Sequence, residues 1–203
     1  MKIICISGNY PVTAKSKMQG FSNSPRMYLK PETALIRGRM PFFLPGFSGR
    51  IHAGVELAVR IGKLGKNILP RFAHTYYSEI GLAVNFTATD HLQMCIREGK
   101  PWDEATSFDG SLKLSNFIPL HDLPDPDNIS FSLECTGKKN QRGLSSQMIM
   151  PLSQLIAHVS SFVTLKIGDY LLTGSPPGYL QVRAEDKLEG FLAENKTISL
   201  TIK

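Results

Sequence analysis

Residues Ile51 to Gly62 read IHAGVELAVRIG, a run whose polar members could do chemistry if it forms a strand. Side chains of a strand alternate faces, so His52, Gly54, Glu56, Ala58 and Arg60 share one side, and Ile51, Ala53, Val55, Leu57, Val59 and Ile61 the other. The second set is a core face. The first reads as one wall of a polar pocket, and an imidazole with an ordinary pKa of ~6.5 makes His52 a candidate catalytic base. A glycine stands between the histidine and the glutamate, where a strand interior gains no packing from it and loses rigidity. Glu56 has two candidate partners, Arg60 on its own face and Lys30 elsewhere in the chain.

Such a wall needs neighbouring strands. Short runs rich in β-branched and aromatic residues dominate the chain: KIICIS, RMYLKP, IGLAVNFTA, ISFSLEC, DYLLTG, KLEGFLA and TISLTIK, most of them bounded by Gly, Pro, Asn or Asp. Helical spacing is confined to HLQMCIREG after Asp90 and to PLSQLIAHVSSFV, where Leu152, Leu155, Ile156, Val159 and Val163 recur on one face. The expectation is a mainly β protein with a few helices (α+β), a sandwich or distorted barrel with the helices packed outside. One domain is expected over residues 1–203, without internal repeat or linker.

The chain has 23 Lys and Arg against 17 Asp and Glu, a formal net charge of +6. A positive surface gathers acidic partners of any kind. Here the charges are spread, and the densest group, GKKNQRG, reads as a hairpin tip with no helix or aromatic platform beside it. No nucleic-acid partner is expected. Apolar runs such as IICI and YLL fall far short of the ~20 residues that cross a bilayer, and the N-terminus lacks a secretory h-region and cleavage site. A cytoplasmic protein without a membrane partner is therefore expected. Cys5, Cys95 and Cys135 are scattered, with no CxxC pair, and read as reduced, buried thiols.

The segments CISGNY, YLKPETALI, IHAGVELAVRIG, NFTATD, GKPWDEATSFDGS and GDYLLTGSPPG, with the late Asp186, occur in an order and spacing that resembles the fumarylacetoacetate hydrolase superfamily over nearly the whole chain. The resemblance implies a mixed β-roll or β-sandwich that forms a homodimer, with the active site at one end. It also implies Mg²⁺ or Mn²⁺ held by two glutamates in an H-x-E-x-E strand and an aspartate from a later segment. Carboxylates two residues apart on a strand share a face and reach one hard cation, which then polarises the oxygens of a keto acid. The implied substrate pocket contains Lys30, Glu56, Asn85, Gln141 and Thr173, with Glu56 as a metal ligand.

Against this pattern the chain departs where the chemistry would be. Gly54 stands for the other glutamate and Asn85 for the aspartate, so Glu56 is the only ligand position that survives. Gly8 replaces an arginine, Thr13 a water-activating histidine, Thr89 the arginine of TARD, Thr106 a lysine and Thr136 an asparagine. Positions that read as structural are kept: Asn9, Tyr10, Lys30, Pro31, Trp102, Phe108, Asp109, Gly168, Asp169, Thr173, Gly174, Pro176 and Gly178. Asp109 and Asp169 read as turn or capping residues. The register near TATDHLQ is open, with either Leu92 or Gln93 at the family's glutamine position.

Two functional classes follow. The favoured expectation is a catalytically silent member acting as a binding or scaffold module, without a cofactor. The alternative is a divalent-metal-dependent hydrolase, isomerase or decarboxylase of small keto or diketo acids of the acylpyruvate or oxaloacetate type, using Mg²⁺ or Mn²⁺. With three large side chains replaced by Gly54, Thr106 and Thr13, a wide and weakly charged cleft is expected beside Glu56. Gly54→Glu with Asn85→Asp is expected to restore three carboxylates and cation binding.

Overall fold

The computed structural model describes residues 1–11, 25–126, 128–136 and 140–203. Among them the strands are β1 (Ile3–Ser7), β2 (Arg26–Lys30), β3 (Ile51–Ile61), β4 (Tyr77–Ala88), β5 (Leu112–Leu114), β6 (Ile118–Pro119), β7 (Ser130–Cys135), β8 (Gln141–Leu144), β9 (Tyr170–Leu172), β10 (Leu180–Gln181), β11 (Lys187–Leu192) and β12 (Asn195–Thr201). The helices are α1 (Thr89–Glu98), α2 (Asp103–Thr106) and α3 (Leu152–Phe162), with short 3₁₀ turns between elements. The expected mainly β, α+β class is what the chain adopts, in two sheets.

The larger sheet runs β2-β1-β9-β3-β4-β5, with β10 added to β3 and β6 to β4. The smaller runs β12-β11-β7-β8. Every pairing is antiparallel except β1 with β9, where Ile3 lies beside Tyr170 and Cys5 beside Leu172. The larger sheet curls on itself. Leu35, just past β2, bridges Leu112 of β5, and Ile36 donates its N–H to the Leu112 carbonyl at 2.8 Å.

The odd-numbered face of β3 packs against the smaller sheet, as its period predicts. Ala53, Val55, Leu57, Val59 and Ile61 are buried there with Phe131, Leu133, Leu188, Ile198 and Leu200. Gly190 permits the close approach, since a Cβ there would meet Leu82 Cδ2 of the larger sheet at 2.7 Å; within the smaller sheet Gly143 makes room for the ring of Phe131, its register partner, which a Cβ would meet at 2.6 Å. The inner face of the curled sheet carries a second, smaller apolar cluster of Ile3, Cys5, Ala58, Ala83, Leu112 and Leu172. This cluster closes one end of the polar wall.

The helices sit where their periodicity places them. α1 ends at Gly99, whose φ of 66° lets its N–H turn back to the Ile96 carbonyl, and α3 buries Leu155, Ile156 and Val159. Leu92 is buried in α1 and Gln93 is exposed. The β7–β8 hairpin forms as GKKNQRG suggests, although its tip, residues 137–139, lies outside the described residues, as does Thr13. All three cysteines are buried, and no disulfide joins them. Among the described residues no helix is long and apolar enough to cross a membrane.

Candidate functional site

Register brings the polar residues together. On β3 and β4, Gly54 lies opposite Asn85 and Glu56 opposite Ala83, so the Asn85 side chain reaches diagonally to the glutamate. Asn85 Nδ2 donates to Glu56 Oε1 at 2.8 Å and to the Tyr28 hydroxyl at 2.9 Å. Tyr28 belongs to β2, at the far edge of the sheet order, and reaches Asn85 because the sheet is curled. Glu56 Oε2 accepts the backbone N–H of Gly174 at 3.0 Å.

Gly174 must be glycine for that bond. Its φ is 96°, and a Cβ would lie 3.1 Å from both the Ile6 carbonyl oxygen and Asn9 Cβ. Asn9 locks the same corner, donating to the carbonyls of Met150 (3.1 Å) and Thr173 (2.9 Å) and accepting the Met150 N–H at 2.8 Å. Thr173 donates both its N–H (3.0 Å) and its hydroxyl (3.1 Å) to the Leu57 carbonyl. It therefore fixes the chain that carries Gly174.

Glu56 is 3% exposed. Burial pushes its carboxyl up to about 7, against the opposite pull of hydrogen bonds from Asn85 and Gly174 and of the Lys30 charge. Of its two candidate partners, Arg60 pairs instead with Glu79. Lys30 is also 3% exposed, and its Nζ donates to the Thr106 carbonyl, to Ser111 Oγ at 2.7 Å and to the Ser111 carbonyl at 3.3 Å. Burial lowers this ammonium to about 8, with the charges of Cys5 and Glu56 opposing the shift. All three of its donors are engaged, which makes it a fixed charge behind the carboxylate. Thr106 turns its hydroxyl back to the Trp102 carbonyl at 2.9 Å and faces Lys30 with backbone.

The gap at Gly54 is filled. A Cβ there would stand 2.5 Å from Ser175 Oγ and 2.7 and 2.8 Å from Cε1 and Cδ1 of Tyr179. Ser175 is held in turn by donating to the Val55 carbonyl at 3.0 Å and accepting from Gln141 Nε2 at 3.0 Å. Gln141 also accepts the Val55 N–H at 2.7 Å and donates to the Pro176 carbonyl at 2.5 Å, so it pins the 175–176 turn onto β3. The expected open cleft at this position is thus corrected: the missing side chain of residue 54 is replaced in space by a serine and a tyrosine ring. Nothing in the local sequence joins Tyr179 to Gly54.

His52 lies two residues on, half-buried. Thr89 Oγ1 donates to the Arg50 carbonyl at 3.0 Å, so at 2.9 Å it accepts from His52 Nδ1 and leaves Nε2 unprotonated in the neutral ring. Burial and the neighbouring Arg50 lower the imidazole below its ordinary value. Asp169 has the capping role its sequence suggests. It accepts the N–H groups of Lys2 (2.7 Å) and Lys166 (2.8 Å) and pairs with Lys2 Nζ at 2.6 Å. Burial alone would raise its carboxyl, but these contacts hold it low.

The donor set does not fit Mg²⁺ or Mn²⁺. Among the described residues no three His, Cys, Asp or Glu side chains come together. Glu56 supplies a single carboxylate charge, which the nearby Lys30 offsets. Neutral Asn85 and side-chain-free Gly54 add no charge to balance a divalent ion.

The family model described as fumarylacetoacetate (FAA) hydrolase C-terminal matches residues 2–203. An oxaloacetate tautomerase of Escherichia coli (strain K12) is 36% identical over 188 residues, 92% of this chain and 86% of that protein. A mitochondrial oxaloacetate tautomerase of Mus musculus is 34% identical over 187 residues, 92% of this chain and 85% of that protein. The crystal structure of fumarylpyruvate hydrolase from Pseudomonas aeruginosa, in complex with Mn²⁺ and pyruvate, superposes with a TM-score of 0.91 at 24% identity. It covers 100% of this chain and 89% of that one, a likeness of fold. The sequence relatives overturn the expectation of a catalytically silent scaffold, since proteins this similar across most of the chain are named as enzymes.

Proposed function

The chain belongs to the fumarylacetoacetate hydrolase family, and from that premise we propose that it is an enzyme catalysing keto–enol tautomerisation of a small 2-keto dicarboxylic acid such as oxaloacetate. The observation that carries the reading is Glu56: a buried carboxyl held at about 7, oriented by two N–H donors on the polar wall of the sheet. A group titrating near the working pH is suited both to remove and to return a proton.

In the enolising direction the Glu56 carboxylate takes a proton from C3 of the substrate. The C3–H electron pair becomes the C2=C3 π bond, and the carbonyl π pair takes a proton from water to give the enol O–H. Glu56 then releases its proton to solvent, so the net change moves one proton from carbon to oxygen. Ketonisation is the reverse. Lys30, engaged with Thr106 and Ser111, supplies a fixed positive field that favours the ionised glutamate and the developing enolate. No step passes through a metal ion, because the side chains present do not provide for one.

The test is conversion of enol-oxaloacetate to its keto form, followed by the loss of enol ultraviolet absorbance in the presence of a chelator. The wild type should accelerate it, Glu56→Gln should fall to the uncatalysed rate while still folding, and, because ketonisation returns a proton from Glu56 to C3, the catalysed rate should fall as pH rises through about 7. Full activity in Glu56→Gln, or none in the wild type with chelator present, would sink the reading. Release of pyruvate in the same mixture would report decarboxylation instead.

A further inference from the structure

Two stretches far apart in sequence, residues 62–76 and 152–168, meet at the surface. Gly65 and Leu165 exchange N–H and carbonyl bonds at 3.0 and 2.8 Å, which sets the loop after β3 beside the loop after α3. Asn67 donates its N–H to the Ser160 carbonyl at 3.0 Å, Ile68 to Ser160 Oγ at 2.9 Å, and Lys66 Nζ donates to the Ser161 carbonyl at 2.9 Å. The 3₁₀ turn Pro70–Tyr76 packs against α3 as well. The segments so joined expose five large apolar side chains, Leu64, Leu69, Phe72, Phe162 and Ile167, with Ile167 73%, Phe162 63% and Leu64 62% exposed. One such residue would need no explanation, but five on joined segments form a patch of the kind that meets a partner. Among them stand Lys63, Lys66, Arg71 and Lys166, all exposed, and neither stretch contains an Asp or Glu. The carboxylates that follow the two stretches, Glu79 and Asp169, are paired with Arg60 and Lys2.

We propose that this face docks on the surface of an anionic lipid bilayer, with the five apolar side chains entering the headgroup layer and the four cations meeting lipid phosphates and carboxylates. Apolar insertion and charge are the two signals that together hold a protein at such a surface, and the stems of Lys and Arg let their heads reach the phosphates while the apolar groups go deeper. A second copy of the chain fits poorly, because two-fold pairing of this face sets Lys63, Lys66, Arg71 and Lys166 against the same four residues. The seam's backbone groups are bonded to one another, so the face presents area and positive charge in place of a row of directional groups for a peptide strand. Docking in the interfacial plane needs no spanning helix, and it replaces the expectation of no membrane partner, which rested on the want of one. The inference stands apart from the tautomerase reading, since neither stretch contributes to the polar wall around Glu56.

Co-sedimentation of the whole protein with large vesicles is the test. Vesicles of phosphatidylcholine with about one third phosphatidylserine should carry the protein down at low salt and release it at about 0.5 M NaCl, and phosphatidylcholine alone should bind it at least about tenfold more weakly. Lys63→Gln with Lys166→Gln should weaken binding to the anionic vesicles about thirtyfold, the effect of two cations near such a surface. Leu64→Ser with Ile167→Ser should weaken it as well, and both pairs should melt like the wild type, since all four side chains are exposed. No binding to the anionic vesicles, equal binding to the two compositions, or unchanged affinity in both paired variants would overturn the inference. So would light scattering that finds the wild type dimeric and Leu64→Ser with Ile167→Ser monomeric, because a second copy would then own the face.

Discussion

Adding a single methyl group at position 54 should destabilise the protein by more than an ordinary Gly→Ala change on a strand, which by removing backbone freedom from the unfolded chain would be neutral or favourable. The new carbon would stand 2.5 Å from Ser175 Oγ and 2.7 Å from the Tyr179 ring, and something must move. Tyr179 is 42% exposed and can swing toward solvent at little cost. Ser175 cannot, because displacing it breaks its bond to the Val55 carbonyl and the one from Gln141. Two neutral hydrogen bonds at about 1 kcal/mol each, with overpacking of about 1–2 kcal/mol, give a loss of roughly 3–4 kcal/mol. For a chain of this size that lowers Tm by about 5–15 °C in a calorimetric melt. Ser175→Gly in the Gly54→Ala background should recover part of the loss, since the clashing atom is gone. A Gly54→Ala protein melting within about 2 °C of the wild type would show that the wall at residue 54 is open after all. Gly54→Glu meets the same obstacle with a larger side chain, so with Asn85→Asp it should bind no Mn²⁺ in a calorimetric titration.

Glu56→Gln should flatten the pH dependence of stability. The folded carboxyl lies at about 7, above the ordinary 4.5, so its contribution is fully present below pH 4.5 and is lost as pH rises through 7; the gap corresponds to about 3 kcal/mol. Denaturant midpoints of wild type and variant measured at pH 5 and pH 8 should diverge accordingly, and parallel curves would contradict the assigned burial. Asn9→Ala, which removes three hydrogen bonds at a fully buried position, should cost about 3 kcal/mol in urea unfolding and loosen the corner that carries Gly174. A loss under about 1 kcal/mol would mean that water takes over those bonds.

Period and punctuation sufficed for the long elements. The alternation in IHAGVELAVRIG placed β3 and its core face, and the apolar spacing in PLSQLIAHVSSF placed α3. What escaped was either too short to have a period or formed only across the fold. The two residues of β10 lie on His52 and Ala53, and the four of α2 put the Thr106 carbonyl on Lys30; neither segment is long enough to show a pattern. Ser111 as a partner of Lys30, and Tyr179 as the occupant of the space at Gly54, are contacts between segments distant in sequence. Gly54 itself was visible as an anomaly, but a missing side chain reads the same in a sequence whether it leaves a hole or admits a neighbour. The loss of carboxylates was legible too, and it pointed toward silence because the sequence shows which charges are gone but does not show that burial leaves the remaining one near neutrality.

The parallel pairing of β1 with β9 also governs when the site can come into being. Ile3 finds its parallel partner only at Tyr170, and Glu56 receives its backbone donor only from Gly174. During synthesis β1 can pair with β2 and β3 with β4, but the β9 seam and the Gly174 bond to Glu56 form only after residues 170–174 have emerged. Contacts of such long sequence separation slow folding because loop closure precedes any reward. Acid–base poise is thus among the last properties acquired in folding, and partial intermediates should carry an ordinary carboxylate at residue 56 beside exposed, unpaired strand edges. Such edges are vulnerable to aggregation.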